Sequence, residues 1–579
     1  MKGTGKMKKL LSMLLALTML LSLCAPAFAE ESHTITAEDI PLYTVGLETG
    51  ETMKLYFLDG VKDLPYMEIN NLCDLLTGLI GDDIVTFTKD VQGPVVTITR
   101  NHEGSMDDGC HATFDFDKSE IRFVDYNIFT VKPNASTILD VTSIPFFTSD
   151  GRPALIQKVD KGTFDRYGDE LVLPLADYDI ELIYQPIENG LYLIPLQTLN
   201  DFFFAPNGVS FFYNGQCVNL SAEINPGDAL YYAAPTGERS EALTKYGYGE
   251  LCMMLDYLYG LKEVHDIDRF AQLFHEVGFD QFLKGNEVKQ ADAAIYRLIA
   301  DYLDDGHSSW HGFSYLTGDL DYTAPKGPSE SKWSQQRDLY ASAREKFYPD
   351  GIPGYEEVGN TAYITFDKFE LPQMMNTAEY IYSVEDPADL PDNDTIGLII
   401  KAHSMITREG SPIENVVLDL SVNQGGAADT AVFVIAWFLG EANIGMKDTM
   451  TGAVCASTYR CDANRDHEFD ERDTVQDKNL FVLTSPVGFS CGNLVPCALK
   501  DSGMVTVMGR TSGGGSCVVQ KISSAWGTSF QISGSHRISF IKNGSYYDVD
   551  RGAEPDIVIT SPAKFYDRAA LTDYINSLY

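Results

Sequence analysis

A serine stands where acyl transfer could use one. Phe489-Ser490-Cys491-Gly492-Asn493 follows the apolar run Leu480-Phe481-Val482-Leu483-Thr484 and precedes the cluster Gly509-Arg510-Thr511-Ser512-Gly513-Gly514-Gly515. A serine hydroxyl becomes a nucleophile only beside a base, and the oxyanion it creates needs fixed N–H donors. Such donors are on offer upstream. Val416–Leu420 reads as a strand, and the turn Asn423-Gln424-Gly425-Gly426 opens a helix over Thr430–Leu439, whose first backbone N–H groups point outward. Gly425 or Gly426, with the amide of Cys491, is the expected oxyanion pair. Alone, Ser490 is better read as the N-cap of a helix over Asn493–Lys500. The combination with the glycine turn is what favours chemistry.

Four segments in order carry a resemblance: Asp419–Gly426, Ser490–Asn493, Gly509–Gly513 and Gly552-Ala553-Glu554-Pro555-Asp556. Together they resemble the C-terminal processing (tail-specific) serine peptidases, with their D-L-R-x-N-x-G-G, S-[AC]-[SG]-E, G-E-x-T-x-G and G-x-x-P-D signatures. The resemblance implies a crotonase/ClpP-like α/β catalytic core, a peptide or protein substrate and Ser490 as nucleophile. It also marks departures. Members with a Ser–Lys dyad carry lysine where this chain has Gly515, and Lys500 and Lys521 are out of register. The branch resembling the tricorn core and the retinoid-binding-protein repeats uses histidine in a D-G-H-[ST] motif, which Asp305-Gly306-His307-Ser308 fits. That makes His307 the expected general base, and an imidazole near pKa 6.5 suits the role. The plainer reading of His307 is a basic residue favoured at a helix C-terminus. Asp548 and Asp550, just before Gly552, are candidates to orient it. Ser421 replaces the usual arginine and Asn493 the usual glutamate, so a peptide- or ligand-binding protein on the same fold is the second reading. No PDZ-like segment is recognisable between His307 and Asp419.

Gly488-Phe489-Ser490-Cys491-Gly492 is also literally G-x-S-x-G, the elbow of α/β-hydrolase esterases. There the serine sits directly at the strand end, whereas Ser485-Pro486-Val487 intervenes here, and His536 is the only later histidine. Esterase is the weaker rival. A second site is suggested by Asp462, Asn464, Asp466, Glu468 and Asp473, whose oxygens follow the spacing of a calcium loop. His467 occupies the position that wants glycine, and an acidic solvated hairpin explains the segment as well. Ser–His chemistry requires no cofactor; structural calcium is the only metal expected.

These residues need elements to hold them. Residues 1–29 read as an export leader: Lys2, Lys6, Lys8 and Lys9, then apolar Leu10–Leu23, then Ala27-Phe28-Ala29. A lipid-bearing cysteine at Cys24 fits less well behind bulky Leu23. The expected location is secreted or cell-envelope associated. No later run approaches the roughly 18 apolar residues of a membrane span. With 43 basic against 83 acidic residues the net charge is −40, which repels nucleic acid and anionic lipid. Nine cysteines outside the leader, without C-x-x-C pairs, form neither a disulfide framework nor a zinc site and read as mostly buried thiols; a bridge from Cys455 to Cys461 is the nearest alternative. Residues 30–225 show short alternating runs between turns, an N-terminal β-rich (α+β) region. Leu64–Leu72 is echoed by Leu191–Leu199, a weak duplication similar to the stalk modules of some exported Gram-positive proteins, with cell wall as candidate partner. Residues 226–320 turn helical: Ile295, Leu298, Ile299, Tyr302 and Leu303 share one face, ending at the D-G-H-S segment. Residues 318–350 read as a polar surface connection. Residues 321–579 alternate strands and helices, the α/β core.

Overall fold

The expected core is built on six strands: β1 (Tyr355–Val358), β2 (Thr361–Thr365), β3 (Asn415–Asp419), β4 (Asn479–Thr484), β5 (Val505–Gly509) and β6 (Ile557–Val558). They lie side by side in chain order, β1 antiparallel to β2 and the rest parallel. All residues of β2 and β3 are buried, the polar ones at the strand ends included, as strands covered on both faces should be. Helices make the crossovers: α1 (Thr395–Thr407), α2 (Ala428–Leu439) and α3 (Cys491–Asp501). The Asp394 carboxylate caps α1 by accepting from Gly397 N at 3.1 Å. Helix α2 is apolar almost all round because it is buried almost all round. Its exception, Asp429, accepts N–H and O–H bonds from Ser143 and an N–H bond from Ile144.

This computed structural model describes residues 33–81, 85–102, 110–130, 141–166, 168–222, 230–232, 236–317, 327–372 and 376–579. The export leader lies outside them. It is a mixed α/β protein with several sheets. A second sheet runs Ser309–Gly312, Ser529–Ser539, Ala442–Asp448, Val454–Cys461, Ile156–Arg166, with Cys517–Ser523 also paired to Ser529–Ser539. One apolar cluster packs α1 and α2 on the parallel sheet, with Ile364, Leu418, Phe433 and Val482 at its centre. The other face of the sheet (Tyr363, Val417, Phe481) packs on Tyr340, Phe565 and Leu571.

One expectation is corrected here. The polar connection at 318–350 contains an 18-residue helix, Pro328–Glu345, hidden in the sequence because only a narrow stripe, Trp333 and Tyr340 among it, faces the core. The N-terminal region contributes a strand, Ile156–Arg166, to the second sheet beside Val454–Cys461. Its own sheets have seven and five strands. The two copies of the sequence echo are strand–helix units, Tyr66–Glu68 with Ile69–Ile80 and Leu191–Pro195 with Leu196–Leu199, and their strands pair antiparallel from Leu193↔Glu68 to Pro195↔Tyr66. All nine cysteines outside the leader are free, eight of them buried.

Candidate active site

The carboxyl ends of β3, β4 and β5 carry the three marked turns, the usual place for a site on a parallel sheet. After β4 the chain reaches Ser490 with φ 56° and ψ −126°, a conformation few residues other than glycine adopt. Ser490 holds the N-cap position of α3, yet its side chain makes no capping bond. Its backbone is tied down instead: Ser490 N donates to Gly514 O at 2.9 Å, and its carbonyl accepts from Asn493 N and Leu494 N. Ser490 is thus the N-cap by position, as the plainer reading has it, but without the side-chain bond of one.

The glycine turn after β3 lies against this serine. A Cβ on Gly425 (φ +95°) would come within 2.5 Å of Ser490 Cβ and 3.0 Å of its Oγ. Phe489 N donates to Asn423 O at 3.2 Å, and any Cβ on Gly492 would strike Asn423 O at 2.5 Å. Glycine at 492 is what lets α3 approach so closely. Gly425 N is already engaged by Asn423 Oδ1 at 2.9 Å. Among the described residues, the amides of Gly426 and Cys491 make no hydrogen bond. Two such N–H groups flanking a hydroxyl can stabilise an oxyanion.

His307 is buried, and its ring centroid sits 4.7 Å from that of Phe489. Asp305 shapes its loop: Oδ1 accepts from His307 N (2.9 Å), Ser308 N (2.8 Å) and Ser533 Oγ (2.7 Å), while Oδ2 accepts from Ser308 Oγ and Tyr259 OH. Strand Ser309–Gly312 then anchors on Ser529–Gln531, and Gln531 Nε2 donates to His307 O. Burial lowers the imidazole pKa below its usual value, and the charges of Asp305 and Asp550 push back. Among the described residues, the His307 ring and Ser490 Oγ are not hydrogen-bonded to each other.

Asp550 accepts from Gly515 N (3.0 Å), Ser516 N (2.7 Å) and Ser516 Oγ (2.9 Å), and is ion-paired with Arg537. It therefore fixes the glycine loop whose Gly514 carbonyl receives Ser490. Asp548 also binds Arg537, at 2.9 Å, but is half exposed. Of the two, Asp550 is the carboxylate whose charge is felt at His307. Position 515 has no room for lysine: φ is +92° and a Cβ would fall 2.5 Å from the Phe489 ring. Lys500 is spent on Glu554 O and Asp556.

Both sequence departures have structural uses. Ser421 Oγ pairs with Tyr566 OH at 3.0 Å, and Asp419 receives its guanidinium from Arg568, at 2.7 Å and fully buried. Asn493 donates to Val549 O and accepts from Ser512 Oγ. Sequence reasoning missed Arg568, Asp305 and Arg537; of these only Asp305 had a signal, being part of the D-G-H-S motif. His536 lies elsewhere, bonded to Asn127 Oδ1, so the esterase order is not assembled.

The acidic segment forms a tight turn. Asp462 accepts from Asp466 N and His467 N, Asn464 from Asp466 N, Asp466 from Glu468 N, and Asp473 from Ala463 N, Asn464 N and Asp470 N. Arg465 and His467 supply the left-handed residues, φ 65° and 66°. Burial raises Asp462 and pushes Asp473 to about 6. No three His, Cys, Asp or Glu side chains among the described residues are grouped to hold a metal ion.

The model of peptidase family S41 matches residues 360–559. His307 lies outside that segment. No curated protein is significantly similar to the chain. Among solved structures, the photosystem II D1 C-terminal processing protease is 17% identical over 36% of this chain and 47% of its own length, with a TM-score of 0.26. The chain thus spans less than half of that relative. A lipoprotein from Streptococcus agalactiae is 14% identical over 60% of this chain and 98% of its own, with a TM-score of 0.34. Both superpositions are loose, so the assignment rests on the family model. No helix among the described residues is long and apolar enough to cross a membrane. Residues 360–559, which carry Ser490 and the turns around it, match peptidase family S41.

Proposed function

We propose that the chain is an exported endopeptidase working through a Ser490 acyl-enzyme. The observation that carries this is the backbone of Ser490, held at positive φ with its hydroxyl uncapped and the glycine turn at its side. Ser490 Oγ attacks the peptide carbonyl carbon as His307 takes its proton. The carbonyl oxygen becomes an oxyanion received by the Gly426 and Cys491 amides, with Gly425 shaping the pocket wall. The imidazolium then returns the proton to the leaving amine, and water, deprotonated by the same imidazole, releases the acid. Asp550 and Asp305 supply the negative charge that favours the imidazolium. The core is read as crotonase/ClpP-like. The test is hydrolysis of a quenched peptide library by the full chain and by Ser490→Ala and His307→Ala. Both substitutions should remove activity by about 10³-fold or more; retention of turnover in Ser490→Ala would sink the reading.

The second reading, a peptide-binding protein on the same fold, is favoured by one observation: the imidazole and the hydroxyl are not hydrogen-bonded. Tight peptide binding without cleavage would support it. Export and wall association are proposals on the leader pattern and the N-terminal modules, checked by fractionating a culture. Structural calcium at Asp462, Asn464, Asp466, Glu468 and Asp473 is a proposal on the spacing of these residues alone; added calcium should then raise the melting temperature and a chelator reverse it, and no shift would remove the site.

A further inference from the structure

Phe489 stands one residue before Ser490, and its ring reaches to the histidine. The two rings lie 4.7 Å apart between centroids, tilted by 60°. Two glycines make the slot that admits the phenyl group. A Cβ on Gly306, the residue before His307, would come within 2.4 Å of Phe489 Cζ, and a Cβ on Gly515 within 2.5 Å of the same atom. At Gly515 positive φ also asks for glycine, but no such demand exists at Gly306, so close approach alone explains it. Gly513 adds an ordinary contact, its Cβ position 3.7 Å from Cδ2.

The phenyl ring is therefore gripped by two separate loops. One is the histidine loop, wired by Asp305. The other is the glycine loop, wired by Asp550, whose Gly514 carbonyl holds Ser490 N. The Phe489 backbone is held too, its N–H on Asn423 O and its carbonyl on Gly492 N. His307 and Ser490 sit on different elements, 183 residues apart in sequence, and this ring is a direct packing link between them. It also packs against the buried imidazole.

We infer that Phe489 is a positioning residue of this site: its ring, seated between Gly306 and Gly515, is the spacer that sets the His307 imidazole relative to Ser490. It fills the space that a side chain at residue 515 would need, which ties the absence of lysine there to the use of histidine.

The inference rests on the Ser490–His307 reading, so its test includes a readout independent of turnover. Phe489→Ala and the conservative Phe489→Leu are made in the full chain and again in the Ser490→Ala background. Carbethoxylation of His307 by diethyl pyrocarbonate is followed by mass spectrometry between about pH 5 and 8. Removing the ring should speed labelling by about tenfold and move its midpoint upward, because the imidazolium regains water; leucine should fall between. In active protein, Phe489→Ala should lower kcat by about 100-fold with a smaller change in KM, the scale of an ångström's misplacement, and Phe489→Leu should recover part of it. An unchanged labelling rate and midpoint in folded Phe489→Ala and Phe489→Leu overturns the inference. Should labelling respond while His307→Ala leaves hydrolysis intact, the base role of His307 falls and the seating of the ring stands.

Discussion

At the scale of single residues, the site turns on a serine freed from its usual duty. A serine at the N-cap ordinarily spends its hydroxyl on the helix; Ser490 is held by its backbone and keeps the hydroxyl unspent. The imidazole expected to activate it is buried, and burial favours the neutral form. A general base works only when neutral, so a lowered pKa extends activity toward acid. The acidic limb of kcat/KM against pH should have its midpoint below the ordinary histidine value of about 6.5. Replacing Asp305 or Asp550 by asparagine removes a negative charge that holds this pKa up, so the limb should move further down. An upward movement would contradict the charge arrangement described here. The turns around Ser490 were legible because they are local: a strand end and a glycine turn leave a pattern in the sequence. Phe489, Arg568 and Arg537 were not, because each acts on partners far away in the chain.

At the scale of elements, three turns at the ends of β3, β4 and β5 are stitched by backbone bonds, and packing decides where glycine must stand. Gly515→Ala should cost more than about 1 kcal/mol of stability, from positive φ and the clash with Phe489 together. Thermal or denaturant unfolding reads it directly. The end of β3 depends on the buried Asp419–Arg568 pair. Arg568→Ala leaves a buried carboxylate without its counter-charge and should cost about 3–5 kcal/mol; a loss below 1 kcal/mol would mean that the pair is not what holds the C-terminal helix to the sheet. The helix Pro328–Glu345 is tied to the segments before His307, before Ser490 and after β2. Asp304 caps its first turn, Trp333 Nε1 donates to Val487 O, and Arg344 grips Asp367 at both oxygens. Its polar composition concealed it, since a helix that buries only a narrow stripe shows little periodicity. The parallel strands were legible for the opposite reason, their centres being apolar runs.

At the scale of the whole molecule, the N-terminal region is joined to the core by pairing and by buried polar groups. Asn127 Nδ2 donates to Asp448 Oδ2 at 2.8 Å, and Gln197 Nε2 to Ser523 O at 2.9 Å. Beside Gln197, Asp201 and Glu250 are fully buried carboxylates, faced by Asn200, Thr198 and Tyr246. Burial raises both, Glu250 to about 7, and their mutual repulsion raises Asp201 further. Because the folded state then holds a proton that the unfolded state gives up near 4.5, this contribution to stability is complete below about pH 4.5 and lost as pH rises through 7. Glu250→Gln should remove that part of the decline, seen as a flatter melting temperature against pH than in the parent; equal slopes would refute it. Such long-range joints, like the strand Ile156–Arg166 in the second sheet, leave no local trace in the sequence. The central claim is that this fold holds Ser490 as a nucleophile. A serine-directed fluorophosphonate, followed by intact-mass and peptide mapping, tests it most directly. One adduct on Ser490, abolished by Ser490→Ala and slowed strongly by His307→Ala, is the expected result; folded parent protein without an adduct on Ser490, under conditions that label a control serine peptidase, would contradict it.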